Sequence, residues 1–335
     1  MNILICRLQP WMAFEVAKNL SSQGHVIHSI DHGQLNEYID SKLFNSCHQW
    51  LPLSSSDKEL EYQFEQIVRK YEIRLVIVAQ KLWRYSNIVE KVCSERFTDV
   101  IFTEYFFDDK LIFDNVGLQY TKDNQANGVC DLPIDWPRKD REEQPADRTK
   151  EDVIAQYNIP RDQKVVVIYG QVLWDMSLVE SPESMSFDEY MDGLCKGNPD
   201  TTFLFKPHPK DTWGQPTSER YSYPNMIRVG ESLRTLFQFP AHTAYSSTVI
   251  FEGVSRGLSF ASAGYHLLQD HTYKITRGGF QDIYNKIISY KPDPLAVKRN
   301  ASYLTNIYAL SMSDPLLAGR LEHGIEYVVE KKAMR

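Results

Sequence analysis

Basic, hydroxyl-bearing and acidic side chains follow several apolar segments of this chain, where they could bind a phosphate or move a proton. Lys206-Pro207-His208-Pro209 directly follows the apolar run at 202–205. An ammonium and an imidazole are suitable partners for phosphate oxygens, and the two prolines stiffen the turn. A solvated surface turn could have the same residues, so this segment alone leaves both interpretations open.

A second such segment is Tyr245-Ser246-Ser247-Thr248, between a predicted strand and a predicted helix. Hydroxyls and backbone N–H groups at the start of a helix bind anions, although Ser and Thr are also ordinary helix caps. Glu252 lies about one helical turn further on. It could accept hydrogen bonds from ribose hydroxyls, or be an exposed helix residue.

Two further segments combine polar and acidic residues. Gly170 permits a sharp turn after the run VVVIY, and Gln171 and Asp175 follow it. A lone aspartate in a loop is most often a turn residue. In the first half, Glu104 follows the apolar segment 100–102 and precedes three aromatic residues. These residue types suit a pocket for a sugar or a base, and they also suit the edge of a core.

Composition limits the class of protein. The chain has 335 residues, 42% hydrophobic and 24% charged, which suggests two folded domains. A net charge of −7 argues against nucleic acid as the main partner. Five scattered cysteines without C-x-x-C spacing argue against a disulfide framework or a zinc site and favour a reducing cytoplasm. The acidic pair Asp108-Asp109 is typical of a solvated turn, so no metal site is expected.

Strands and helices alternate in both halves of the chain, which predicts an α/β fold with parallel sheets covered by helices. The charged segment 136–150 predicts a linker between an N-terminal domain, 1–135, and a C-terminal domain, 151–335, that ends in helices. Ligands of such sheets bind beyond the carboxyl ends of the strands. The predicted strands are 2–6, 26–30, 75–79, 100–102, 165–169, 202–205, 226–229, 243–245 and 258–261. The predicted helices are 13–20, 60–71, 187–194, 233–237, 249–256, 281–290, 298–310 and 315–331.

The ordered motifs G-Q-V-x-x-D at 170–175, K-P-H-P at 206–209 and S-S-T-x-x-F-E-G at 246–253 resemble the bacterial capsule-polysaccharide family of retaining β-Kdo transferases. Kdo is 3-deoxy-D-manno-oct-2-ulosonic acid. In the first half, Glu104 and the later V-G-L at 116–118 also match. The chain departs from the family pattern at 105–107 and 264–266. Bacterial sialyltransferases and CDP-glycerol polymerases resemble it at the His-Pro and Ser-Ser pairs.

The resemblance implies a GT-B-like fold, in which two Rossmann-like α/β domains face a central cleft. It also implies transfer of Kdo or a related sugar from a CMP-sugar to a glycan or lipid-linked glycan, without a metal or other cofactor. The expected location is the cytoplasm, at the inner face of the inner membrane. The basic ending EKKAMR suits peripheral membrane contact, and it equally suits a solvated helix end.

Residue by residue, the resemblance implies that Asp175 is the nucleophile, that Glu104 is the general base and that Gln171 orients Asp175 or the donor. The alternatives are an inverting CMP-sialic acid transferase, a CDP-glycerol-type phosphotransferase and a non-catalytic subunit that binds nucleotide or glycan. The expected CMP-binding residues are Lys206, His208, Ser246, Ser247, Thr248 and Glu252.

Overall fold

The computed structural model describes residues 1–31, 43–79, 84–105, 110–114, 145–172, 178, 185–209, 220–264, 266–305, 309–313 and 317. The chain divides into two compact units. The first combines Met1–Asn124 with Tyr303–Arg335, and the second is Gln125–Ser302.

The first unit contains a seven-stranded sheet in the described part of the chain. Its strands are β1 (Asn2–Cys6), β2 (Val26–Asp31), β3 (Phe44–Gln49), β4 (Leu75–Ala79), β5 (Asp99–Tyr105), β6 (Lys110–Asp114) and β13 (Ala309–Ser311). Their order is β13-β6-β5-β4-β1-β2-β3. The strands β1 to β5 pair in parallel, whereas β6 and β13 are antiparallel additions. The helices are α1 (Pro10–Ser22), α2 (Asp57–Lys70) and α3 (Arg84–Arg96).

Burial explains why β1 and β4 form the centre of this sheet. Both are runs of apolar residues, NILIC and LVIVA, and both lie almost entirely out of solvent, as expected for parallel strands covered on both faces. The helix α2 begins at Ser56, whose Oγ accepts the Glu59 N–H while the Glu59 carboxylate accepts the Ser56 N–H. This capping box fixes the helix start, and Leu60 and Phe64 then face the core.

Among its described residues, the second unit contains a six-stranded sheet whose strands all pair in parallel. Its strands are β7 (Lys164–Tyr169), β8 (Thr201–Lys206), β9 (Met226–Arg228), β10 (His242–Ala244), β11 (Phe260–Ser262) and β12 (Tyr273–Lys274). Its helices are α4 (Lys150–Gln156), α5 (Phe187–Gly197), α6 (Leu233–Leu236), α7 (Val249–Val254), α8 (Ile283–Ser289) and α9 (Pro294–Tyr303). The order β12-β11-β10-β7-β8-β9 reverses direction between β7 and β10, so the topological switch point lies between these two strands.

The end of the chain differs from the prediction. The helical spacing at 298–310 predicts one helix, whereas α9 ends at Tyr303 and β13 follows. The strand β13 pairs with β6, and Asn19 Nδ2 donates to the Met312 carbonyl at 2.7 Å. Tertiary pairing therefore overrides local helical spacing and returns the chain to the first unit. Of the predicted linker only residues 145–150 are described, and the predicted C-terminal helix lies almost wholly outside the described residues.

No helix in the described ranges is long and apolar enough to cross a bilayer.

Candidate functional site

Three adjacent strands of the second sheet end at one edge and carry most of the predicted phosphate ligands. Tyr169 at the end of β7 pairs with Lys206 of β8 on one side and with Ala244 of β10 on the other. The carboxyl ends of β8, β7 and β10 therefore lie side by side at the switch point, where α/β sheets bind ligands. The predicted residues that follow these strands are Gln171, His208 and Ser246.

Gln171 links the two sides of the switch point. Its Oε1 accepts the backbone N–H of Ser246 at 3.0 Å, and its Nε2 donates to Ser246 Oγ at 3.0 Å. The two residues are only 3% and 6% exposed. A buried amide bonded at both ends has one favoured orientation, so Gln171 fixes the position of Ser246. Orientation of a donor or of Asp175 by Gln171 stays a prediction.

Glycines at 170 and 264 allow the turns at this edge to approach closely. A Cβ on Gly170 would lie 2.8 Å from the Phe205 ring, and one on Gly264 would lie 2.6 Å from the Tyr245 ring. The Gly264 N–H also donates to the Tyr245 carbonyl at 2.8 Å. Gly264, in one of the segments that departs from the family pattern, therefore supports the turn that carries Ser246.

His266, in the same departing segment, is a buried structural residue. Its Nε2 lies 2.8 Å from Ser262 Oγ, and its Nδ1 accepts the Leu268 N–H at 3.3 Å. Burial, aided by the nearby His271, lowers the pKa of His266 to about 3. The ring is therefore neutral and stabilises the connection between β11 and β12.

Lys206 points towards the end of the neighbouring strand β9. Its Nζ donates to the Gly230 carbonyl at 3.3 Å. Burial lowers the pKa of Lys206, and the Glu231 carboxylate opposes this shift. Glu231 is itself mostly buried and forms an ion pair with Arg148 at 3.2 Å. Glu231 follows the predicted strand 226–229 closely, so its position in the sequence is the signal that indicates an acid at this edge.

The remaining predicted CMP-binding residues lie at β8 and α7. His208 is half-buried, two residues beyond β8. Ser247 Oγ accepts the Val249 N–H at 3.4 Å, whereas the Thr248 side chain makes no capping bond although it occupies the N-cap position. Helix capping is therefore a weak explanation for a serine at position 247, and it does not explain a threonine at position 248.

Glu252 lies on α7 with a half-buried side chain. Its negative charge affects the ionisation of Tyr169 at the end of β7. Burial raises the pKa of Tyr169 well above its usual value, and the Glu252 carboxylate raises it further. The Tyr169 hydroxyl in turn lies 3.2 Å from His242 Nδ1. Glu252 is therefore near the switch point and only partly exposed, and its binding of the ribose stays a prediction.

Glu104 belongs to the first unit and lies inside β5. The apolar segment 100–102 predicted a strand that ends before Glu104, whereas β5 continues to Tyr105. Antiparallel β6 causes this extension, because Ile112 pairs with Glu104. The half-buried Glu104 thus lies one residue from the carboxyl end of β5, and its role as general base stays a prediction.

Asp175, the predicted nucleophile, lies outside the described residues, as do Asp108 and Asp109. Within the described part of the chain, no three His, Cys, Asp or Glu side chains are grouped so that they could hold a metal ion.

No protein-family model matches the chain, and no curated protein is significantly similar to it. Among solved structures, KpsC, beta Kdo 2,7 transferase, from Thermosulfurimonas dismutans is 17% identical with a TM-score of 0.54, over 99% of this chain and 100% of that one. The beta Kdo 2,4 transferase of the same organism's KpsC is 15% identical over 89% of each chain, with a TM-score of 0.44. A glycosyltransferase from Rickettsia africae is 13% identical over 98% of each chain, with a TM-score of 0.44. The first of these likenesses, together with the two sheets, confirms the predicted fold class: the chain has a GT-B-like α/β fold with two Rossmann-like domains.

Proposed function

We propose that this protein is a glycosyltransferase that transfers Kdo or a related sugar from a CMP-sugar to a glycan or lipid-linked glycan of a bacterial surface. The observation that carries this proposal is the Gln171–Ser246 contact at the switch point, with Lys206 and His208 at the end of the adjacent strand. The fold likeness to a beta Kdo transferase supports the reaction class. The order of the three motifs supports a CMP-sugar as the donor.

The second unit would stabilise CMP as the leaving group. When the bond to the sugar breaks, negative charge develops on the phosphate oxygens. The Lys206 ammonium, the His208 imidazole and the Ser246 hydroxyl would stabilise that charge. Gln171 already holds Ser246 in place, so little reorganisation would accompany the reaction. Ser247 and Thr248 would add hydroxyl donors, and Glu252 would bind the ribose.

Retention of configuration follows from two successive displacements. The Asp175 carboxylate would attack the anomeric carbon of the donor sugar and displace CMP, which forms a covalent sugar adduct. Glu104 would take the proton of an acceptor hydroxyl. The resulting oxygen nucleophile would displace Asp175 from the anomeric carbon, and the second inversion restores the original configuration.

A donor panel tests this function. We expect the purified protein to release CMP from CMP-Kdo, generated in the reaction because it decays, when a Kdo-containing glycan is present. CMP release from CMP-sialic acid, or turnover of CDP-glycerol, in place of CMP-Kdo would establish the corresponding alternative. Binding of CMP without turnover of any donor would indicate a non-catalytic subunit.

His208→Ala should weaken CMP binding by about 10- to 100-fold, because it removes a donor to the phosphate. Isothermal titration calorimetry with CMP measures this change. His25→Ala, in the first unit, is a matched control and should bind CMP as the wild type does. Unchanged affinity in a folded His208→Ala protein would remove His208 from the phosphate site.

A further inference from the structure

Two imidazoles share one serine hydroxyl at the edge of the first sheet. His28 of β2 pairs with Ser46 of the edge strand β3, and His48 lies two residues further along β3, on the same face. Ser46 Oγ is 2.7 Å from His28 Nδ1 and 3.1 Å from His48 Nε2. A hydroxyl has one proton, so it donates to one ring nitrogen and accepts from the other. Both hydrogen bonds are therefore made while His28 and His48, the histidine pair, are neutral.

The residue that ends α2 covers the histidine pair. The centroid of the Tyr71 ring is 4.5 Å from that of His28 and 5.3 Å from that of His48. Asn2 Nδ2, from β1, donates to the Tyr71 carbonyl at 2.6 Å and so holds this cover in place. His28 is only 1% exposed, and His48 is half-buried. A positive charge on His28 would therefore have almost no contact with water, which is costly.

The charges next to the histidine pair are positive. Lys70 Nζ lies 4.9 Å from the centroid of the Tyr71 ring, and its hydrogen bond is the main cause that lowers the pKa of the Tyr71 hydroxyl. Burial lowers the pKa of His28, and His48 lowers it further. Burial also lowers the pKa of His48, and Lys70 lowers it further. Leu4, opposite His28 on β1, is uncharged. Among the described residues, no carboxylate shifts the pKa of either imidazole.

We infer that His28 and His48 form an acid-sensitive switch: protonation of the histidine pair releases β3 from the edge of the first sheet, while the centre of the sheet stays folded. Two imidazolium rings would both donate to one hydroxyl oxygen and would repel each other and Lys70. The strand β3 yields first because all its residues are half-buried or exposed, so its release costs less than unfolding of the buried centre.

The switch acts in mildly acidic solution. Both imidazoles have a pKa below 6.5 in the folded protein, so the released state binds more protons as the pH falls below about 6.5. The pairing of β3 is therefore fully stable above this pH and becomes less stable as the pH falls towards the lowered pKa values. Release of β3 makes β2 the edge strand, whose unpaired N–H and C=O groups can then pair with another chain.

Hydrogen–deuterium exchange of the whole protein at pH 7.5 and pH 5.5, corrected for the intrinsic exchange rates, measures this release. The protection of residues 44–49 should fall by at least about 10-fold at the lower pH, because a difference of one pKa unit changes the equilibrium tenfold. The protection of β1 and β4 should change by less than about twofold. Equal protection of residues 44–49 at the two pH values, or an equal loss in β1 and β4, would overturn the inference.

Neutral variants show whether the histidine pair causes the release. His28→Asn and His48→Gln place an amide close to the ring nitrogen that each replaces, so together they should abolish the acid-dependent loss of protection. Lys70→Gln removes an exposed cation and should make the loss smaller. His25→Gln, a control, removes a titrating imidazole of the same unit outside the pair and should leave the loss as in wild type. An unchanged loss in His48→Gln and in Lys70→Gln, which alter only half-buried or exposed side chains, would contradict the switch.

Discussion

Asp175→Asn should lower the rate of sugar transfer by at least about 10⁴-fold, because an amide cannot form the covalent sugar adduct. CMP affinity should stay within about twofold of wild type, since the proposed phosphate ligands follow β8 and β10 and are unchanged. Steady-state CMP release measures the first quantity, and calorimetry with CMP measures the second.

Asp162→Asn is the matched control for this substitution. Asp162 is exposed and lies just before β7, at the opposite edge of the same sheet, so this variant should transfer sugar at the wild-type rate. Transfer by Asp175→Asn at a rate close to wild type would exclude Asp175 as the nucleophile. A folded Asp175→Asn protein that no longer binds CMP would instead assign Asp175 to the nucleotide site.

Gln171→Glu should weaken CMP binding by about 10- to 100-fold at pH 8, because it introduces a negative charge beside the phosphate. The new side chain has the same shape and can still accept the Ser246 N–H, so the turn after β10 should keep its conformation. Burial raises the pKa of a carboxyl group. The affinity should therefore recover as the pH falls and the introduced carboxylate is protonated. Calorimetry with CMP from pH 6 to pH 8, together with thermal unfolding, measures both effects.

Gln163→Glu provides the control for charge alone. Gln163 directly precedes β7, whereas Gln171 follows it, so the same substitution is placed at the two ends of one strand. CMP affinity of Gln163→Glu should match wild type across the pH range. If Gln171→Glu also bound CMP with unchanged affinity at pH 8, the phosphate would not lie next to Gln171.

The central strands were predictable because burial on both faces demands a continuous apolar run. The strands β1 and β4 were predicted with their observed ends, and β7 was predicted within one residue. The strand β3 was not predicted. Its sequence FNSCHQ lies at the edge of the sheet and alternates between half-buried and exposed residues. It exists because β2 supplies hydrogen-bonding partners, a tertiary effect without an apolar signature.

The candidate site was predictable from the sequence to about the same extent as the strands. Parallel sheets bring the carboxyl ends of their strands to one edge, so residues after predicted strands could be grouped as a site from the sequence. The bond between Gln171 and Ser246 could not be predicted, because it depends on the strand order that makes β7 and β10 neighbours.

The most direct test of the proposed mechanism is the intact-protein mass of Glu104→Gln after incubation with CMP-Kdo generated in the reaction. Without the general base, the covalent adduct should form but transfer slowly to the acceptor, so the proposed mechanism predicts a mass increase of one Kdo residue. The increase should be absent when Asp175→Asn is added to the same protein. An unmodified mass in a Glu104→Gln protein that still binds CMP by calorimetry would contradict the covalent retaining route from CMP-Kdo.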